Sequence, residues 1–250
     1  SKNTSHNFTN TFFTKKTQHP ANMDITKIDP TKYLSNPPWD WGNDILYDIC
    51  QKHPYHTEDH KILAKVLFIG RIYAAAIERR RTNEKSIQDA GCLESERKIN
   101  DDFYTEIVVP NLKGIDRFLN GLEGLKLVKE NIPHLLEVHN KLILLISGFT
   151  CLNKRSFVSK YLHFHYPHLF FIFDSRAVGV LNKMSKEPCL SDFKIPRNVS
   201  GDEAYANFFY RCYFLRAHFE KQNGVELTPR QIDNIFLHYA NELARSKSQS

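Results

Sequence analysis

The chain has 250 residues, 41% of them hydrophobic, with 18 Phe and 11 Tyr. That is enough apolar mass for one large domain or two intimate lobes, and too much for a disordered protein. Lys plus Arg number 34 against 28 Asp plus Glu, a formal charge of +6 that favours polyanionic partners such as nucleic acid without requiring one.

Residues 1–35 are rich in Ser, Thr, Asn and Lys and lack sustained periodicity, so a mobile or loosely packed arm is expected ahead of a helical body over 36–250. Asn36-Pro37-Pro38-Trp39-Asp40-Trp41-Gly42 opens that body. Its two Trp side chains suit either packing between lobes or stacking on bases. Leu63, Val66, Gly70, Tyr73 and Ile77 recur at helical spacing behind Thr57, a candidate N-cap,. The run ends in Glu78-Arg79-Arg80-Arg81, cations that complement a helix C-terminus,. After a polar connector over 82–97, helices are expected near 99–109, 113–122, 125–130 and 133–147, with Pro110 and Pro133 as breaks,. In the C-terminal third, Ser200 with Glu203 and Thr228-Pro229-Arg230-Gln231 have capping-box form ahead of apolar stripes,. Only Phe170–Phe173 reads as an extended apolar run. The expected class is all-α.

The 5 cysteines show no Cys-x-x-Cys pair, which argues against a disulfide framework and a thiolate zinc site and favours a reducing compartment. No apolar segment follows a basic start as in a signal peptide,. The most apolar run, Leu142 to Ser147, is far shorter than the roughly 20 residues that span a bilayer,. A soluble, cytoplasmic protein without a membrane partner is expected.

The stretch Lys154 to Arg176 carries the densest chemistry. As a helix, Phe157, Tyr161 and Phe164 share one face while Ser156, Lys160 and His163 fall opposite,. Pro167 forces the exit, and the apolar run from Leu169 delivers Asp174 to the start of the next helix, with positive dipole behind it,. Asp174 is then either a simple cap or a carboxylate held beside Lys160 and His163 in aromatic surroundings, where burial perturbs titration. His163-x-His165-x-x-His168 is a weak metal pattern, because imidazoles two apart on a helix diverge,. No metal and no cofactor are expected.

Ser-Phe-Val-Ser-Lys-Tyr-Leu-His-Phe over 156–164, followed by Phe-Ile-Phe-Asp-Ser-Arg-Ala over 171–177, resembles the core of the helix-hairpin-helix DNA glycosylases, in particular bacterial proteins like 8-oxoguanine glycosylase. The resemblance covers 142–183. It implies a two-lobed helical array in which a hairpin leads to a helix bearing a small residue, here Ser159, and a short extended turn presents an essential Asp, here Asp174. The family's Leu-Pro-Gly-x-Gly hairpin is replaced by Ile146-Ser147-Gly148-Phe149-Thr150-Cys151-Leu152-Asn153. The lysine nucleophile of the strand-cleaving members falls near Ser156 or Phe157, so the resemblance implies base excision by water rather than lyase chemistry. The implied partner is double-stranded DNA with a damaged or modified base. Asp174, Lys160 and His163 would serve catalysis, and Lys154, Arg155, Ser156, Ser159, Arg176, Tyr161, Trp39 and Trp41 would hold substrate. A non-catalytic helical module that binds nucleic acid or protein, with Asp174 as a cap, is the alternative.

Overall fold

The computed structural model describes residues 25–35, 37–78, 100–184, 195–196, 199 and 201–248. Among them every regular element is a helix. The all-α expectation holds, and no helix among the described residues is long and apolar enough to cross a membrane.

Residues 25–35 are docked on the body, which corrects the expectation of a loose arm for this part of 1–35. Ile25 and Ile28 are buried, and Asp29 caps the Pro30–Tyr33 turn by accepting the Thr31 N–H at 3.0 Å. Leu34 O accepts Gln231 Nε2 at 3.0 Å. Two apolar anchors in a polar run suffice to dock a segment, yet leave no periodicity to read.

Helix α1 spans Trp41–Lys52. Helix α2 spans Asp59–Leu67, with Glu58 rather than Thr57 at its N-cap and no side-chain cap bond. It continues through a π turn, Phe68–Ile72, then stops where Ala74 takes a positive φ of 51° and Ala75 N–H reaches Gly70 O at 2.9 Å. The helix thus ends before the expected Ile77, and Arg79–Arg81, with the 82–97 connector, lies outside the described residues.

Asn100–Asp102, Phe103–Val108 and Val109–Leu112 run on as one helix, α3, whose middle is a π turn. Pro110 does not break it. It follows the π register, where Val109 N–H already reaches back to Tyr104 O, and it occupies the first turn of the resumed α segment, where no N–H is needed. Helix α4 is Asp116–Leu119. Residues 125–128 are not helical, contrary to expectation, and only Lys129–Asn131 makes a 3-10 turn. Helix α5, Ile132–Thr150, takes Pro133 in its first turn, so that proline begins a helix rather than breaking one,. Gly148 stays inside α5, and the reversal falls at Cys151, which has φ 54°. The hairpin to α6, Arg155–His165, is therefore 151–154 rather than 146–153.

Helix α7 is Ser175–Met184. Helix α8, Glu203–Asn223, is capped by Asp202, which accepts the Tyr205 N–H at 2.8 Å. Ser200 of the expected box lies outside the described residues. Helix α9, Pro229–Ser248, has the expected reciprocal box: Gln231 N–H donates to Thr228 Oγ1 at 3.2 Å and Thr228 N–H to Gln231 Oε1 at 2.8 Å.

Helix α6 is buried continuously from Phe157 to Phe164, with α1, α5 and the π turn of α2 packed on it and α7 packed on α9. The expected polar face of Ser156, Lys160 and His163 does not reach solvent as a stripe, because Lys160 and His163 are enclosed. Buried apolar side chains form one connected core from Ile25 to Phe236. Cys50 and Cys212 are free and buried, while Cys151 is disulfide-bonded.

Candidate active site

The segment 169–174 pairs with no strand, so its backbone groups need other partners. Side chains provide them. His163 Nδ1–H donates to Phe170 O at 2.8 Å, Tyr205 OH donates to Phe171 O at 3.0 Å, and Phe173 N–H donates to Ser159 Oγ at 2.9 Å. Ser159, fully buried, is small enough for the segment to lie against α6 and polar enough to hold it. These bonds fix the approach to Asp174.

Asp174 is half-buried at the start of α7. Its Oδ1 accepts the Ala177 N–H at 2.9 Å, and its carbonyl accepts Val178 N–H at 3.0 Å. Among the described residues Oδ2 accepts no hydrogen bond. Asp174 and Asp233 act electrostatically on Lys160, whose ammonium is nonetheless held below the ordinary lysine value by burial. Lys160 is 7% exposed and donates to Tyr73 O at 2.8 Å. Asp233 is pushed up to about 6 by burial, with Asp174 and Asp40 adding to the rise against Arg230 and Lys160.

Around this group stands a buried ion cluster that sequence reasoning did not single out. Arg230, in the first turn of α9, is clamped between Asp40 and Asp233. Asp40 also accepts Asn43 Nδ2 at 2.9 Å and Asn234 Nδ2 at 3.0 Å, and Tyr73 OH donates to Asn43 Oδ1. The sequence signal was faint: Arg230, Asp233 and Asn234 stand among the apolar positions Ile232, Ile235 and Phe236 of a helix read for its cap and its apolar stripe.

The remaining expected residues divide. Trp41 is 68% exposed on the first turn of α1, and the Trp39 side chain lies outside the described residues. Arg176 is exposed near Lys160, on which it acts electrostatically. Lys154 Nζ donates to Ala76 O at 3.0 Å. Arg155 Nε bridges both Asp202 oxygens at 2.6 and 2.7 Å, tying α6 to the cap of α8. Ser156 is half-buried, its carbonyl accepting Ser159 Oγ at 3.2 Å.

His163 and Tyr161 are corrections. His163 is 0% exposed, its second nitrogen accepting Tyr47 OH at 2.7 Å, and burial lowers it to about 3. With both nitrogens engaged it supports the segment and has no valence for a substrate. Tyr161 is 1% exposed and gives its hydroxyl to His56 Nε2 at 2.7 Å, so its ring offers no face to a base. A helix buried on all sides has no polar face, whatever its wheel suggests.

Tyr161 belongs to a second network beside the C-terminal half of α6. His56 Nδ1–H donates to Asp116 Oδ1 at 2.6 Å and His56 N–H to Asp116 Oδ2 at 2.9 Å. Lys65 Nζ donates to His53 O at 2.8 Å, Tyr55 O at 3.4 Å and His165 Nε2 at 3.2 Å, while His165 Nδ1–H donates to Tyr161 O at 2.8 Å. Burial lowers Lys65 to about 8 and His56 to about 4. A cleft of about 480 Å³, lined in part by Cys50, Tyr55, Asp116, His165 and His168, adjoins it. Each proton of Lys65 has an acceptor, so this network is complete without a ligand. His163 and His165 serve these two different networks, and no group of metal-ligating side chains converges among the described residues. No protein-family model, curated protein or solved structure matches the chain.

Proposed function

We propose that this chain is a DNA N-glycosylase that extrudes a damaged or modified base from duplex DNA and hydrolyses its glycosidic bond, with Asp174 as the reacting carboxylate. The observation that carries this reading is the pinning of 169–174, which presents a half-buried Asp174 at a helix N-terminus beside Lys160. The four-residue hairpin between α5 and α6, the buried small residue Ser159, and Asp174 then follow in the order that the resemblance implies.

The chemistry is consistent with those positions. A base inside a duplex is out of reach, and flipping it costs a few kcal/mol. Stacking on an exposed aromatic such as Trp41 returns about 1–3 kcal/mol. Cleavage of the N-glycosidic bond builds positive charge on the sugar, which the Asp174 carboxylate would stabilise while its Oδ2 takes a proton from the attacking water. The buried Lys160 ammonium, with one proton on Tyr73 O, keeps others for the departing base. The hairpin amides with Arg176 would hold phosphates without reading sequence. Repair of lesions and defence against phage DNA with modified bases use the same reaction.

The test is mass-spectrometric detection of free bases released from a panel of modified DNAs, phage DNA included. Wild type should release at least one base, and Asp174→Asn should slow release by roughly 10²–10⁴-fold, the range for a lost acid-base group, while DNA binding survives with steep salt dependence. Equal rates for the variant, or no base released from any DNA, would defeat the proposal. The second reading, a non-catalytic helical module, is favoured by one observation: Asp174, Lys154, Lys160 and Arg155 each already hold a backbone group or a cap.

A further inference from the structure

The cleft of about 480 Å³ beside the C-terminal half of α6 takes no part in the Asp174 site. Asp116 and Glu123 line it together with Tyr55 and Tyr166, and no lysine or arginine does. Asp116 opens α4, and the two bonds from His56 fix its carboxylate while the side chain stays 28% exposed. Each oxygen accepts one of those bonds and keeps a lone pair for a second donor. The chain after α4 turns at Gly121 and Gly124, with positive φ of 87° and 74°, and carries Glu123 back to the same cleft. Glu123 is exposed, and among the described residues no hydrogen bond or ion pair engages it. Asp116, Glu123 and Tyr55 all act electrostatically on the Tyr166 hydroxyl, so the two acids and the two rings share one neighbourhood.

Burial holds His165 well below the ordinary imidazole value and pushes the Cys50 thiol up to about 12, so neither answers the carboxylates. Lys65 lies outside the wall, fully buried, with its protons on His53 O, Tyr55 O and His165 Nε2. A cleft lined by one sign of charge concentrates the other. Metal-ligating side chains do not converge among the described residues, and the rings favour an organic cation, whose ammonium and methylenes both lie well on tyrosine faces. Acceptors with open lone pairs select N–H donors over a quaternary nitrogen, and two carboxylates select two charges over one. The volume falls within the roughly 300–1,000 Å³ of small-molecule sites, so the whole guest fits. We propose that this cleft binds an alkyl diamine or polyamine, its ammonium groups donating to Asp116 and Glu123 and its methylene stem lying on Tyr55 and Tyr166. The site does not rest on the glycosylase reading.

The test is calorimetry on the full chain at low salt and about pH 8, where alkyl amines are charged and ordinary imidazoles are not. The probes are spermidine, butylamine with its single charge, and fully acetylated spermidine, which keeps the stem and carries none. Spermidine should bind saturably and the other two about tenfold more weakly or worse, since ion pairing and cation–π contact are lost together. Gln51 lines the cleft from an exposed position near the end of α1. Gln51→Lys places a cation in the wall and should weaken spermidine by about fivefold, whereas Gln51→Glu should tighten it. Glu123→Gln should weaken it about two- to fivefold, the range of an exposed pair. Glu242→Gln removes the same charge from an exposed position on α9 and should change nothing. Thermal melts of these surface variants should match wild type. Equal affinity for the three probes, indifference to Gln51→Lys, an equal loss in Glu242→Gln, or no saturation at millimolar spermidine would each overturn the assignment.

Discussion

Ser159 Oγ accepts the Phe173 backbone N–H at 2.9 Å, one residue before Asp174. The bond joins the middle of a buried helix to the segment that leads into the candidate carboxylate. Ser159→Ala removes the acceptor and nothing else of size, leaving a buried N–H without a partner. The expected cost is about 1–3 kcal/mol in urea denaturation, with Asp174 less firmly placed. A loss below about 0.5 kcal/mol would show that 169–174 is held by its apolar side chains alone.

Arg230 offers a sharper contrast. Among the described residues it is the one cation bonded directly to both Asp40 and Asp233, and those carboxylates are 2% and 3% exposed. Arg230→Met therefore strands two buried acids, and removal of one partner of such a cluster costs about 3–5 kcal/mol. Adding Asp40→Asn and Asp233→Asn to Arg230→Met should recover much of that loss, because the stranded charges go with the arginine. A triple variant no more stable than Arg230→Met in urea titrations would refute the charge argument.

How far the sequence could be read follows from the same residues. The Thr228–Gln231 box, the helix on either side of 151–154 and the placing of Asp174 at a helix start are local features, written within a few residues of one another. Asp40 and Arg230 are 190 residues apart, and Tyr47 and His163 are 116 apart; no local pattern announces such pairs. The face of α6 was misread for a related reason. Its polar residues sit at regular helical spacing, as on a solvated stripe, but α1 and the π turn of α2 close over them, and the partners that make Lys160 and His163 tolerable are distant backbone and side-chain groups. The π turns were unreadable because their residues are ordinary helix and core formers; the register shift that absorbs Pro110 belongs to packing.

His139 has no bonding partner for either ring nitrogen among the described residues, although it is 0% exposed. It lies flat on Tyr205, 3.6 Å between centroids at 12°. Its only visible contribution is a ring face. His139→Phe keeps that face and deletes two buried polar atoms, so stability should rise by about 1 kcal/mol or more. Calorimetric or urea midpoints test this directly; a lower midpoint would mean that the imidazole has a partner its surroundings do not reveal, or that the added volume does not fit.

The fold should weaken in mild acid, and the sign follows from the buried histidines. Burial lowers His139 and His163 to about 3 and His56 to about 4, and holds His165 well below the ordinary 6.5. Between these values and 6.5 the unfolded chain binds protons that the native chain refuses. Their stabilising effect is complete above about pH 6.5 and is lost as pH falls toward the folded values. Asp233 runs the other way: its folded value of about 6 lies above the ordinary 3.8, so between those two values acid favours the native state through this one group. One proton of that sign opposes those of the four histidines above and of His218, which burial also lowers. Each net proton changes stability by about 1.4 kcal/mol per pH unit, and Lys65, lowered to about 8, adds a slope of the same sign near pH 8, so urea midpoints should fall slightly from about pH 8 to 7 and steeply from about pH 7 to 5. His139→Phe should make that drop shallower by one proton, and Asp233→Asn should make it steeper. Midpoints that stay level or rise on acidification to about pH 5 would mean that these imidazoles are charged, or open to water, in the native protein.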